Sequence, residues 1–318
     1  MPTTYIIGHQ KPDTDSVVSA LALQYLYQQK KCFGYQQPQA VIADPLNPET
    51  SYLFDKFQIE APPQISAADI QTDDQVVLVD HNEQSQRLPG LNQDQIAEIV
   101  DHHKPNLNFS RPIFLNFKVW GSTTTIVYFM MKQFAQEAVV PGKKLAGLML
   151  AAILSDTVGF KSGTTTDKDK EYGQELAKIA GISDIDQFAL EIFKAKSNLG
   201  DLTDVELVKN DYKQYDFAQS VLIGQIETVE QEQILNDRKQ GLLAAMEQVK
   251  QEEGVNLIFL AVTDMLQVNT KLLLADDASR QTAEQAFGGQ TQDGVLDIGP
   301  KMSRKKEIAP VIEQTLSS

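Results

Sequence analysis

All four histidines of this 318-residue chain lie in its first third, each inside a short signature that also carries aspartate. The signatures are Gly8-His9-Gln10-Lys11-Pro12-Asp13-Thr14-Asp15, Val79-Asp80-His81-Asn82 and Val100-Asp101-His102-His103. A fourth, Ser155-Asp156-Thr157, ends a long apolar segment. Imidazole nitrogens and carboxylate oxygens are the ligand set of manganese or magnesium, and a chain with one cysteine offers no thiolate alternative. Asp13 and Asp15, two apart in a proline-containing loop, cannot both be core residues. Buried unpaired carboxylates are too costly, whereas a bound dication compensates them. So many ligand-type residues, each just past a hydrophobic segment, suggest a two-metal site.

Charge then limits the chemistry. Asp13, Asp15, Asp80 and Asp156 match the charge of two divalent ions, so a strongly anionic substrate needs further cations. The basic cluster Ser303-Arg304-Lys305-Lys306 offers them. Two ions about 3.5–4 Å apart suit in-line attack on phosphorus, because they polarise phosphoryl oxygens and lower the pKa of a shared water. Arg304 and Lys305 can neutralise a departing phosphate, the arginine bidentately. His103 can act as general acid to the leaving group. His81 and Asp101 are placed behind the ligands, orienting them through hydrogen bonds.

Strand and helix patterns alternate through the first half, as expected for a parallel sheet with crossover helices. Tyr5-Ile6-Ile7, residues 40–43, Val76-Val77-Leu78-Val79 and residues 97–100 read as strands. Asp15 or Ser16 can cap a helix through Val17 and Leu26, and further helices are expected over 49–57, 123–136, 144–154, 167–180 and 184–195. The ligand candidates thus fall at the carboxyl ends of strands, the edge where open α/β sheets bind ligands. Beyond a linker or hinge at 191–200, centred on the polar Lys196-Ser197-Asn198-Leu199-Gly200, strands are expected over 220–227, 256–263 and 270–275. Helices are expected there over 230–252, 279–287 and 307–316. This second part has no histidine.

A chain of this length usually forms two domains. No segment approaches the roughly 20 apolar residues that span a bilayer, and Met1-Pro2-Thr3-Thr4 lacks the basic start of a signal peptide. Cys32 alone cannot form an intrachain disulfide, which fits a reducing cytoplasm. The net charge of −15 opposes binding to a phosphate backbone.

The ordered set of His9 to Asp15, Asp80-His81-Asn82, Asp101-His102-His103 and Ser155-Asp156 resembles the DHH phosphoesterase superfamily. With Ser303-Arg304-Lys305-Lys306 near the C-terminus, the chain looks like a manganese-dependent (family II) inorganic pyrophosphatase. The resemblance implies an α/β DHH catalytic domain over 1–190 and a smaller α/β DHHA2-type substrate-binding domain over 201–318. It implies hydrolysis of pyrophosphate to two phosphates by a metal-bridging hydroxide, in a cleft that closes between the domains. It also implies two Mn2+ per subunit, replaceable by Co2+, with additional Mg2+ arriving with substrate. His9, Asp13 and Asp80 would hold one metal, and Asp15, Asp80, His102 and Asp156 the other. His103, Lys213, Arg304 and Lys305 would bind substrate. A cytoplasmic homodimer through the N-terminal domain is implied too, with no nucleic acid or membrane partner. The rival reading on the same scaffold is an exopolyphosphatase. A DHH nuclease is disfavoured by the histidine-free second domain, and a non-catalytic sensor by the complete ligand set.

Overall fold

The computed structural model of the protein describes residues 2–30, 34–133, 138–196 and 202–317. The chain falls into two compact units, Met1–Lys196 and Ser197–Ser318. Cys32, the end of the helix expected to reach Gln136, and 197–200 of the expected linker lie outside the described residues. The front of that linker is not linker: α6 (Ile185–Lys196) continues through 191–196, where Ile192 and Phe193 are buried and hold the helix down.

The first unit is built on a wholly parallel sheet of β1 (Thr4–Ile7), β2 (Pro38–Val41), β3 (Gln75–Val79), β4 (Ile96–Asp101) and β5 (Phe114–Phe117). Their order is β2-β1-β3-β4-β5. β1, β3 and β4 are largely apolar and buried, as parallel strands under crossover helices must be, with Glu98 and Asp101 the acidic residues of β4. The order reverses direction between β1 and β3. That reversal is a topological switch point, where the loops after the two strands part and leave a crevice at their carboxyl ends. His9 follows β1 and Asp80 follows β3, so the first two signatures open onto one crevice.

α1 (Thr14–Gln29) starts at that crevice. Its N-cap is Asp13, whose carboxylate accepts from the Ser16 N–H, and not Asp15 or Ser16 as expected from sequence. Asp15 instead lies in the first turn, where carboxylates are favoured by the exposed N–H groups. Gly8 has no alternative here: a Cβ would stand 1.8 Å from Ser16 Oγ, the hydroxyl oxygen that accepts from the His9 N–H. α2 (Pro48–Phe57) and α3 (Thr123–Lys132) follow the expected patterns. α4 (Lys143–Asp156) is buried from Leu145 to Ser155, apolar on all sides because helices surround it. It packs against α1, α3, α6 and α5 (Asp167–Ala180).

The second unit carries a mixed sheet, ordered β10-β9-β8-β7-β6. β7 (Ser220–Thr228) and β8 (Leu257–Asp264) pair in parallel across α8 (Gln231–Glu253). β6 (Tyr212–Asp216), β9 (Asn269–Leu273) and β10 (Val295–Asp297) add antiparallel pairings, with β6 and β10 at the edges. Two apolar layers flank the sheet. One is built from α7 (Asp204–Asn210) and α8, the other from α9 (Asp277–Phe287) and α10 (Ala309–Leu316). A π turn over Arg304–Ile308 leads into α10. No described helix is long and apolar enough to cross a membrane.

Candidate metal centre

Three polar segments converge on Asp80. Its backbone stands at φ +62°, an uncommon value for a residue with a side chain, though one that aspartate tolerates. The turn swings the carboxylate, 1% exposed, off the end of β3. One oxygen, Oδ2, lies 3.6 Å from His9 Nε2, which is itself 3.6 Å from Asp13 Oδ2. The other, Oδ1, lies 3.4 Å from His102 Nε2, which is 3.5 Å from Asp156 Oδ2. His9, Asp13 and Asp80 form one group able to hold a metal ion, and Asp15, Asp80, His102 and Asp156 a second. Asp80 belongs to both.

The tautomers follow from the backbone. His9 Nδ1 sits 2.7 Å from the Gln10 carbonyl and His102 Nδ1 3.0 Å from that of Trp120. A carbonyl only accepts, so each Nδ1 carries the proton and each Nε2 turns a lone pair toward carboxylates. His102 Nε2 is buried without a hydrogen-bond partner. A lone pair facing anions is unfavourable unless a cation or proton stands between them. The spacings of 3.4–3.6 Å exceed hydrogen-bond range, yet two donors sharing one ion at about 2.1 Å from each can span them. The donor set therefore fits hard divalent ions.

Burial pushes the Asp80 and Asp156 carboxyls well above the ordinary aspartate range, and the charges of Asp15 and Asp13 push them further. Burial works against protonation of His9, but the neighbouring Asp13 carboxylate outweighs it and raises that pKa too. Each shift reports the same electrostatic excess: the cluster takes up protons unless other cations supply the charge.

The N-terminus of α3 fixes the second group. Ser122 Oγ donates to Asp15 Oδ1 at 2.7 Å, and the backbone N–H groups of Thr123 and Thr124 donate at 2.6 and 3.0 Å. Thr123 Oγ1 donates to Asp80 Oδ1 at 2.9 Å. The turn is itself held by Asp169, which accepts from the Gly121 N–H and the Thr125 hydroxyl. A Cβ on Gly121 would meet Thr157 and Asp169 within 3 Å. On the far side, Glu49 accepts from Thr14, between Asp13 and Asp15, and from Ser155, beside Asp156. Sequence reading missed Glu49, Ser122 and Thr123 as parts of the site. The run Ser122-Thr123-Thr124-Thr125 before an apolar helix was the available signal.

His103 is half-exposed, with Nδ1 donating to Asp101 Oδ1 at 2.9 Å and lying 3.8 Å from Asp80 Oδ1, and with Asp80 and His102 it forms a third group able to hold a metal ion. Burial alone would raise the Asp101 carboxyl, but hydrogen bonds from His103 and Asn82 hold it low and ionised. Asp101 thus orients His103. His81, expected to orient a ligand, bonds the Val79 carbonyl and meets the His9 ring edge-on instead. Burial drops its pKa to about 4, so it is neutral.

In the second unit, β6 and β7 bring two predicted cations to one rung. Lys213 is paired in register with Ile223, whose carbonyl accepts from Arg304 Nη1. Arg304 also binds Asp211 through Nη1 to its carbonyl and Nη2 to its carboxylate, at 2.7 and 2.8 Å. Lys213 lies over the Tyr215 ring, and Lys305 is exposed.

Residues 3–153 match the DHH family N-terminal domain and residues 190–315 the DHHA2 domain. A manganese-dependent inorganic pyrophosphatase of Methanocaldococcus jannaschii is 36% identical, with 98% of both chains covered. A probable enzyme of that name from Archaeoglobus fulgidus is 38% identical over 98% of both chains. The crystal structure of a putative family II inorganic pyrophosphatase from Methanococcus jannaschii covers 99% of this chain and 100% of its own, with a TM-score of 0.62 at 34% identity. With both domains in order and identity carried along the full length, the chain belongs to the manganese-dependent (family II) inorganic pyrophosphatases of the DHH superfamily.

Proposed function

We propose that the protein hydrolyses inorganic pyrophosphate to two phosphates with two manganese ions at the cluster around Asp80. The observation that carries this reading is the division of the Asp80 carboxylate, with Oδ2 toward the His9–Asp13 pair and Oδ1 toward the His102–Asp156 pair. Two His-Asp sets that share one carboxylate would hold the pair of ions that in-line phosphoryl transfer uses.

His9, Asp13 and Asp80 would hold one ion, and Asp15, Asp80, His102 and Asp156 the other. The ions, when bound, polarise the phosphoryl oxygens and lower the pKa of a shared water, and cobalt could supply the same chemistry. The protein's part is to fix the ligands. The α3 N-terminus holds Asp15, Thr123 holds Asp80, and Glu49 ties the two flanking backbones together. Asp101 fixes the His103 ring by its Nδ1–H, leaving Nε2 to pass a proton to the departing phosphate. Lys213, Arg304 and Lys305 bind the substrate's phosphates, which arrive with magnesium. In this reading the substrate joins the two units in a cleft that closes around it, excluding water. β5 is one edge of the parallel sheet and carries Phe114 at 71% and Leu115 at 52% exposure. An exposed apolar edge strand supports a homodimer through the first unit, and we place that dimer in the cytoplasm.

Phosphate release after chelation, with manganese, cobalt or magnesium restored, tests the reading. Pyrophosphate should be cleaved fastest, an oligonucleotide not at all, and manganese or cobalt should restore more activity than magnesium. Faster turnover of tripolyphosphate would favour an exopolyphosphatase. Full activity after exhaustive chelation would remove the metals from the mechanism.

A further inference from the structure

A recess in the first unit, outside the metal cluster, is walled by Gln84, Arg87, Gln93, Asn106, Asn108 and Ser110 and encloses about 410 Å³. Arg87 is the one charged residue of its lining, and none of the six is acidic, in a chain with 43 acidic and 28 basic residues. A recess without carboxylates on so acidic a protein suits a negatively charged occupant.

Arg87 itself asks for one. It is 6% exposed, and a buried arginine is normally paired with a carboxylate. Here no ion pair is formed among the described residues. Nη1 donates to Gln93 Oε1 at 3.1 Å, Nη2 donates to the Asn82 carbonyl at 2.9 Å, and the Phe109 ring lies 5.1 Å from the guanidinium. Nε is buried with no partner. All three contacts are to neutral groups, so the charge stays uncompensated and part of the donor fork unused. Asn82 continues the chain of bonds: it donates to Asp101, which holds His103, and accepts from the Asn106 N–H in the recess wall.

We propose that this recess binds a small tetrahedral oxyanion of the sulfate or phosphate type. Arg87 supplies charge and a planar donor fork, which matches such oxygens bidentately. The amides of Gln84, Asn106 and Asn108 and the Ser110 hydroxyl supply further donors around it. The recess lies wholly in the first unit, and its proposed occupant does not depend on the proposed reaction.

The test uses manganese-loaded protein. Crystals soaked in selenate would be searched for the selenium anomalous signal, and melting temperatures would be titrated with sulfate for the wild type, Arg87→Met and Asn108→Asp. Asn108 is exposed, so its aspartate variant keeps the core intact while placing a competing carboxylate in the recess. It therefore decides the matter should Arg87→Met fold poorly. The expected result is selenate beside Arg87 and a saturable rise of roughly 2–4 °C in the wild type, absent in Asn108→Asp and in folded Arg87→Met. Sulfate bound among the substrate residues would raise all three proteins equally and cancels from the comparison. An equal sulfate response in the wild type and Asn108→Asp would overturn the proposal. So would selenate bound at crystal concentration with no recess-dependent response in solution.

Discussion

The two units handle opposite charges by opposite means. In the first, Asp15 and Asp80 are buried, and their oxygens are held by a helix N-terminus and two hydroxyls within hydrogen-bond distance. In the second, Lys213 and Lys305 are exposed, and Arg304 is balanced by Asp211. A paired-metal site must have its ligands in place beforehand, because several carboxylates brought together cost too much to be assembled afresh at each turnover. On the proposed reading, lysines that meet a soluble phosphate lose little by staying hydrated until it arrives. Anions held by fixed donors and cations left to solvent or a single carboxylate are two answers to one electrostatic problem.

The sharpest way to break the rigid half is Asp80→Asn. Asparagine tolerates the positive φ, so the backbone stays while the shared charge goes. Loss of Lewis-acid stabilisation worth several kcal/mol should lower pyrophosphate turnover by about 10⁴-fold or more. Metal analysis should find fewer than two ions per chain. Near-normal turnover with both ions retained would show that Asp80 is not the bridge.

His103→Gln comes next. Turnover should fall by roughly 10²–10⁴-fold, the scale of a lost general acid, with manganese affinity close to wild type. Parallel loss of metal and activity would make His103 a ligand instead.

Lys305→Ala and Arg304→Ala probe the second unit. Each should lower kcat/KM by roughly 10²-fold, as loss of one charge-stabilising donor does, and leave both metals bound. A fall in metal content would mean that the two halves are not separable as described.

The smallest effect concerns stability alone. Burial raises the Glu98 carboxyl above the usual glutamate range, only partly offset by hydroxyl donors from Tyr27 and Tyr35. The protonated group's contribution is complete below the unfolded value of 4.5 and is lost as pH rises through the higher folded value. Glu98→Gln keeps an oxygen that both tyrosines can reach, since they share Oε2. Its melting temperature should match or exceed wild type by a few degrees at pH 7, roughly 2–4 °C per kcal/mol, and the two should converge near pH 4. A variant less stable at pH 7 would show that the ionised carboxylate is needed.

Burial decides which elements could be read from the chain. β3 and β8 are continuous apolar runs between turn residues, and their buried surroundings reproduce that pattern. β5, β6 and β10 were not anticipated. They are sheet edges, where one side lacks a strand neighbour and side chains such as Phe114, Tyr212 and Lys213 face solvent. α7 was missed as well, although Thr203-Asp204-Val205-Glu206 spells the capping box that starts it. At the site, residue types named the histidines and aspartates because few other roles suit them in such density. Glu49 and Thr123 could not be named that way, since their role lies in which backbone they meet.

What the sequence determined by itself was therefore the inventory: which side chains can bind metal, where the opposing cations lie along the chain, and that His9, Asp80 and His102 follow strands of a parallel sheet. Pattern and chemical type are local properties, and a linear chain displays them. Only the tertiary structure decided the partition. Which oxygen of Asp80 faces which histidine, and that His102 Nδ1 meets the Trp120 carbonyl and leaves Nε2 free, depend on contacts between residues far apart in the chain. The reversal of strand order between β1 and β3 brings those partners together, and strand order is set by packing between segments, which no single segment encodes.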